Sequence, residues 1–230
     1  MPFGKTVRQT LSLLEDRRYQ PPVWEKMQDK FSTLQNYSTS VVHEAAHALI
    51  GWRALTTGLV VKMSVEPSFF RNGYCLVILP EPISEPACWQ NIEMILAGVV
   101  AERLVWPDDN PSGYETDIDE AFELIERIKR RTEPPWLDDT SIVVPDIVWE
   151  HELCWIRDRD LEILDICYRR AMYELAINYP LFLQLCRRLN ERQTLYLPEL
   201  LILLGPLPLA ARVATGLATA IDLLNEIRRS

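Results

Sequence analysis

Apolar positions recur at helical spacing over most of this chain, and the pattern switches to strand-like runs only once. After Ser38-Thr39-Ser40, a run able to cap, Val42, Ala46, Leu49 and Arg53 mark one side of a helix that Gly58 would close. Leu59–Val65 and Tyr74–Leu79 are β-rich runs separated by Glu66-Pro67 and Arg71-Asn72-Gly73, which predicts two short strands of a small sheet. Pro80, Pro82 and Pro86 end the extended stretch. Residues 87–105 predict a helix through Ile92, Ile95, Leu96, Val99 and Leu104. Residues 115–131 predict another, with acids at its start and bases at its end, as the helix dipole favours. Two more are expected at about 158–179, with Leu161, Leu164, Tyr168, Ala171 and Leu175 in register, and at 181–190, separated by Pro180.

The intervening segments divide the chain. Residues 1–36 are polar and broken by Pro21-Pro22, and read as a helical arm and connector. The segment WPDDNPSG is turn-rich, and Thr132–Pro145 is too proline-rich for a helix. The most apolar stretch, Leu195 to Leu224, is interrupted by Pro198, Glu199, Pro206, Pro208, Arg212 and Asp222, so no membrane span is expected. The expected organisation is an arm over 1–36, a main domain over 37–204 and a helical tail over 205–230, in a mainly α (α+β) fold with one small sheet.

Composition narrows the function classes. With 230 residues, 48% hydrophobic and 25% charged, the chain can bury an ordinary core without disulfides. A net charge of −9 argues against a nucleic-acid backbone as partner. The basic run Lys129-Arg130-Arg131 reads as cations at a helix C-terminus. Five cysteines with no C-x-x-C pair indicate neither a disulfide framework nor a Cys-rich metal site. The first twenty residues carry no continuous apolar run, so no secretory signal is expected and a cytoplasmic location follows. Gly4-Lys5-Thr6 lacks the preceding glycine and strand of a phosphate-binding loop, and no nucleotide site is expected.

The chemistry lies in His43-Glu44-Ala45-Ala46-His47. Two histidines four apart project from one face of a helix, so both imidazoles can converge on one tetrahedral metal with Glu44 beside the open position. This is the pattern of a hydrolytic zinc site, with Glu44 as general base. A catalytic zinc takes a third protein ligand. Glu102, Glu115, Asp117, Asp119 and His151 are the candidates, and spacing alone does not choose among them. His151-Glu152 has no second histidine after it and is not a second metal motif.

Beyond that motif, HEAAH, VVKMSVEPSFF, GYCLVILPE, LAGVVAERL and SGYETDIDEAFEL follow one another in the order of segments found in the peptidase domain of the FtsH family, which the chain resembles over roughly residues 35–204. The later helices, ending in RQTLYLPELL, also resemble that family's C-terminal region. HEAAH differs from the family's HEAGH only at Ala46, and TEPPWLDD departs from its usual continuation. The resemblance implies a zincin-like helical peptidase domain, with a small sheet at the active-site edge and a C-terminal helical bundle. It implies His43, His47 and Asp117 as zinc ligands, with Glu102 as a partner orienting a histidine or as the alternative ligand.

The implied activity is a zinc metalloendopeptidase acting on unfolded or flexible polypeptides, which would add to the sheet edge at Gly73, Tyr74, Cys75 and Leu76. FtsH proteases also carry transmembrane segments and an ATP-driven unfoldase, neither of which is expected here, so a stand-alone peptidase domain follows. An unfoldase acting in trans and a homo-oligomer are the partners the resemblance suggests. The rival expectations are a catalytically silent zinc-binding scaffold and a metal-free helical binding module.

Overall fold

A computed structural model describes residues 29–53, 59–67, 73–79, 83–107, 114–132 and 158–206. The expected arm before residue 29, the proline-rich segment 133–145, His151, Cys154 and the tail from residue 207 lie outside the described residues. The described chain is mainly helical, with one small antiparallel sheet.

Two helices form the centre. Helix α1 spans Thr39–Arg53, and the Ser38 hydroxyl accepts the Val41 N–H at 3.3 Å at its start. Val41, Val42, Ala45, Ala46, Ala48, Leu49, Ile50 and Trp52 are all buried, covering nearly its whole circumference. A helix apolar on every side belongs in the interior. Helix α2, Glu85–Val105, is of the same kind; the Ser84 side chain accepts the Ala87 N–H, and Pro86 stands in the first turn, where its missing N–H costs nothing. The two run antiparallel, since His43 meets α2 at Gly98 whereas His47 and Gly51 meet it at Met94.

The remaining helices are amphipathic and close around this pair. Helix α3, Tyr114–Thr132, buries Ile118, Ala121, Leu124, Ile125 and Ile128 and exposes Asp119, Glu120, Glu123 and Glu126. Helix α4, Asp158–Ile177, and helix α5, Tyr179–Arg192, add Leu164, Cys167, Leu175, Phe182 and Leu189 to one continuous core. Each such side chain taken fully out of water stabilises the fold by about 1.5–3 kcal/mol before conformational entropy is counted. A short 3-10 helix, Ser32–Asn36, inserts Leu34, and Phe31 just before it packs on Tyr179 and Phe182. The described cysteines, Cys75, Cys88, Cys167 and Cys186, are free thiols. No helix among the described residues is long and apolar enough to cross a membrane.

The sheet differs from expectation by one strand. Strands β1, Leu59–Ser64, and β2, Tyr74–Ile78, pair antiparallel with Leu59 opposite Ile78 and Ser64 opposite Tyr74. A third strand, β3, Thr194–Tyr196, pairs on the other side of β1, giving the order β2-β1-β3. The helix expected over 181–190 runs on to Arg192, where Gln193 caps it, and the left-handed backbone of Gln193 (φ 63°) turns the chain back. The Gln193 carbonyl then accepts the Val65 N–H at 2.8 Å, and helix α6, Leu197–Leu204, follows. The break before α5 also falls elsewhere. Pro180 sits inside the first turn of α5, and the interruption is at Asn178, whose amide donates to the Glu174 carbonyl at the end of α4.

Candidate metal centre

The spacing of His43 and His47 sets both rings on one face of α1, with centroids 4.5 Å apart. Helix α2 fixes both from behind. His47 Nδ1 lies 2.8 Å from the Met94 carbonyl, and His43 Nδ1 lies 2.6 Å from Glu102 Oε1. A carbonyl and a carboxylate can only accept, so each Nδ1 carries the proton and donates. Both Nε2 atoms are thereby left as acceptors, and they point at each other across 2.8 Å.

Helix α3 supplies the third atom. Asp117 lies one turn into that helix, and its Oδ2 stands 3.0 Å from His43 Nε2 and 3.5 Å from His47 Nε2. Three lone-pair atoms therefore converge from two helices, an arrangement that repels itself unless a cation or shared protons occupy the middle. Ligand atoms about 2.0–2.1 Å from a tetrahedral metal stand about 3.3 Å from one another. The observed 2.8, 3.0 and 3.5 Å bracket that edge, so the group could hold a metal ion. It is the one such group found among the described residues.

Without a metal only protons can relieve the convergence. Burial would keep His43 neutral, but hydrogen bonds and charge from Asp117 and Glu102 outweigh it and raise its pKa from 6.5 to about 10. Burial and the His43 charge oppose protonation of His47, yet Asp117 and Glu44 raise it as well. Burial works against the Asp117 carboxylate, but hydrogen bonds from the two imidazoles hold it below the usual carboxylate range. A metal entering this cluster competes with tightly held protons.

Two glycines shape the walls. A Cβ at Gly98 would lie 2.5, 2.6 and 2.7 Å from Cε1, Nε2 and Nδ1 of His43, so the ring rests directly on the α2 backbone. Only glycine permits that approach, although glycine inside a helix costs about 1 kcal/mol relative to alanine. Gly73, just before β2, stands against Glu44, where a Cβ would lie 2.8 Å from Oε1. Glu44 is itself buried at 7% exposure. Cys75 lies in the same quarter: burial, and then the charge of Glu44, push its thiol well above the ordinary value.

The structure thus brings His43, His47, Asp117, Glu102, Glu44, Gly73 and Cys75 into one region. Glu102 meets the Nδ1 side of His43, the placement of an orienting partner and not of an atom on the converging side. Asp119 is exposed on α3, and the side chain of Glu115 and the whole of His151 lie outside the described residues. Tyr74 and Leu76 point to the other face of β2; the Lys62 ammonium packs over the rings of Tyr74 and Tyr196, and Leu76 is exposed. Gly98 is the site residue that sequence reasoning missed. Its one signal was a lone glycine within the apolar helix LAGVVAERL.

No protein-family model matches this sequence, and comparison with curated proteins returns no match either.

Proposed function

We propose that this chain is a zinc-dependent endopeptidase of the FtsH type, with His43, His47 and Asp117 as ligands and Glu44 as the general base. The observation that carries the proposal is the convergence of His43 Nε2, His47 Nε2 and Asp117 Oδ2, each histidine turned to that point by an acceptor on its other nitrogen. Zinc suits a donor set of two imidazoles and one carboxylate in tetrahedral spacing, and it takes catalytic sites with three protein ligands. Bound there, it would polarise a scissile carbonyl and acidify the attacking water towards a pKa of about 7.

The protein's own groups do the rest. Glu44 takes a proton from the attacking water and returns it to the departing amine. Glu102 and the Met94 carbonyl hold the imidazoles in the tautomer that presents Nε2. Strand β2 pairs only with β1 among the described residues, so its outer edge can receive an extended polypeptide by main-chain hydrogen bonding at Gly73, Tyr74, Cys75 and Leu76. Main-chain pairing tolerates many sequences but requires an extended chain, which favours unfolded or flexible substrates.

Bound zinc and cleavage of an unfolded protein such as carboxymethylated casein test the reading. Wild type should carry one zinc per chain and cleave. Glu44→Gln should keep the zinc and lose about 10²–10⁴-fold in rate, and Asp117→Ala should lose the zinc. Cleavage that survives Glu44→Gln sinks the mechanism, and full zinc occupancy with no cleavage by wild type makes the protein a zinc-bearing scaffold.

A further inference from the structure

We infer that Gly73 is a positioning residue for Glu44: the absence of a side chain at the head of β2 holds the carboxylate in place, an inference that rests on the endopeptidase reading for its catalytic consequence. Among the described residues, positive φ occurs only at Gln193 and Gly205. The backbone at Gly73 is therefore one that alanine can adopt, and what the position requires is space.

That space is filled by the base. A Cβ at Gly73 would meet Glu44 Oε1 at 2.8 Å, Glu44 Cγ at 2.9 Å and the Ser64 carbonyl at 3.1 Å. The Ser64 carbonyl belongs to β1, opposite Tyr74, and cannot move without breaking the sheet. The contact with Cγ is the telling one. A clash with the terminal oxygen alone could be relieved by turning the carboxylate, whereas a clash at Cγ forces the whole side chain into another rotamer. Helix α1 cannot yield instead, because Ala45 and Ala48 are buried and His43 rests on Gly98. Any side chain at position 73 thus moves Glu44, while His43, His47 and Asp117, held by α2 and α3, stay where they are.

The test is Gly73→Ala measured alone and in the Glu44→Ala background. Gly73→Ala should retain one zinc per chain and lose kcat by about 10²-fold, the scale expected for displacing a catalytic group by about 1 Å, with KM changed less than about threefold. Its melting temperature should fall by on the order of 4 °C from overpacking. In Glu44→Ala, where only the Ser64 carbonyl at 3.1 Å still crowds the new methyl group, adding Gly73→Ala should lower melting by less than it does in wild type. Unchanged kcat in Gly73→Ala, or an equal melting loss in both backgrounds, overturns the inference. If wild type itself does not cleave, the endopeptidase reading has failed separately, and the two melting comparisons alone decide whether Gly73 holds Glu44.

Discussion

The helical wall and the sheet wall of the site hold their residues in different ways. On the helical side, α2 offers His43 a bare backbone at Gly98 and a buried carboxylate at Glu102, and offers His47 the carbonyl of half-buried Met94. On the sheet side, Glu44 leans on Gly73 at the start of an edge strand whose residues are half-buried or exposed. One wall is set by packing among three helices, and the other by a strand that pairs only with β1 among the described residues. The difference implies that metal binding and turnover are separable: damage to α2 should remove the metal, whereas damage to β2 should leave it bound and idle.

The largest expected break is at Gly98. Alanine there drives a methyl group into the imidazole, and we expect Gly98→Ala to purify without zinc, to cleave nothing and to melt below wild type, since overpacking a core costs about 1–3 kcal/mol. Metal analysis and calorimetry check this together. Zinc bound at wild-type affinity would mean that α2 does not set the ring. A smaller effect is expected at Glu102→Gln, which keeps a hydrogen-bond acceptor for His43 but removes the charge; zinc affinity should fall by about 10–100-fold in a competition titration.

The smallest effect is a pH dependence confined to the helical wall. In metal-free protein His43 is raised above 6.5, so its contribution to stability is fully present below pH 6.5 and is lost as pH climbs towards about 10. Asp117, held low, contributes above its ordinary 3.8 and loses that as the pH drops through its lowered value. Metal-free protein should therefore melt lower as pH rises from 6.5 to 10. The gap between zinc-loaded and metal-free melting should widen over the same range, because zinc must displace protons that are then more weakly held. A gap that narrows with rising pH would show that protons and metal do not share the cluster.

What could be read before the fold was known follows the range of the interactions. His43, Glu44 and His47 are a local pattern, fixed by helical periodicity; the helices expected over 87–105, 115–131, 158–179 and 181–190 came within two residues of their bounds, whereas α1 is described only to Arg53, short of the Gly58 expected to close it. Asp117 was one of five candidates on spacing, because nothing local says which carboxylate a distant helix turns inward. Gly98 was invisible as a site residue, since its role exists only once α1 lies against α2. Strand β3 escaped for a similar reason: three residues carry no periodicity, and their pairing with Lys62, Met63 and Ser64 reaches across about 130 positions. Pro180 misled because proline marks the first turn of a helix as readily as the gap before one.

A crystal structure of zinc-loaded protein with anomalous data at the zinc edge decides whether the three converging atoms are a metal site. We expect one anomalous peak about 2.0–2.2 Å from His43 Nε2, His47 Nε2 and Asp117 Oδ2, with Glu102 still on His43 Nδ1. A zinc ion bound elsewhere, or bound through Glu102 with Asp117 turned away, would contradict it.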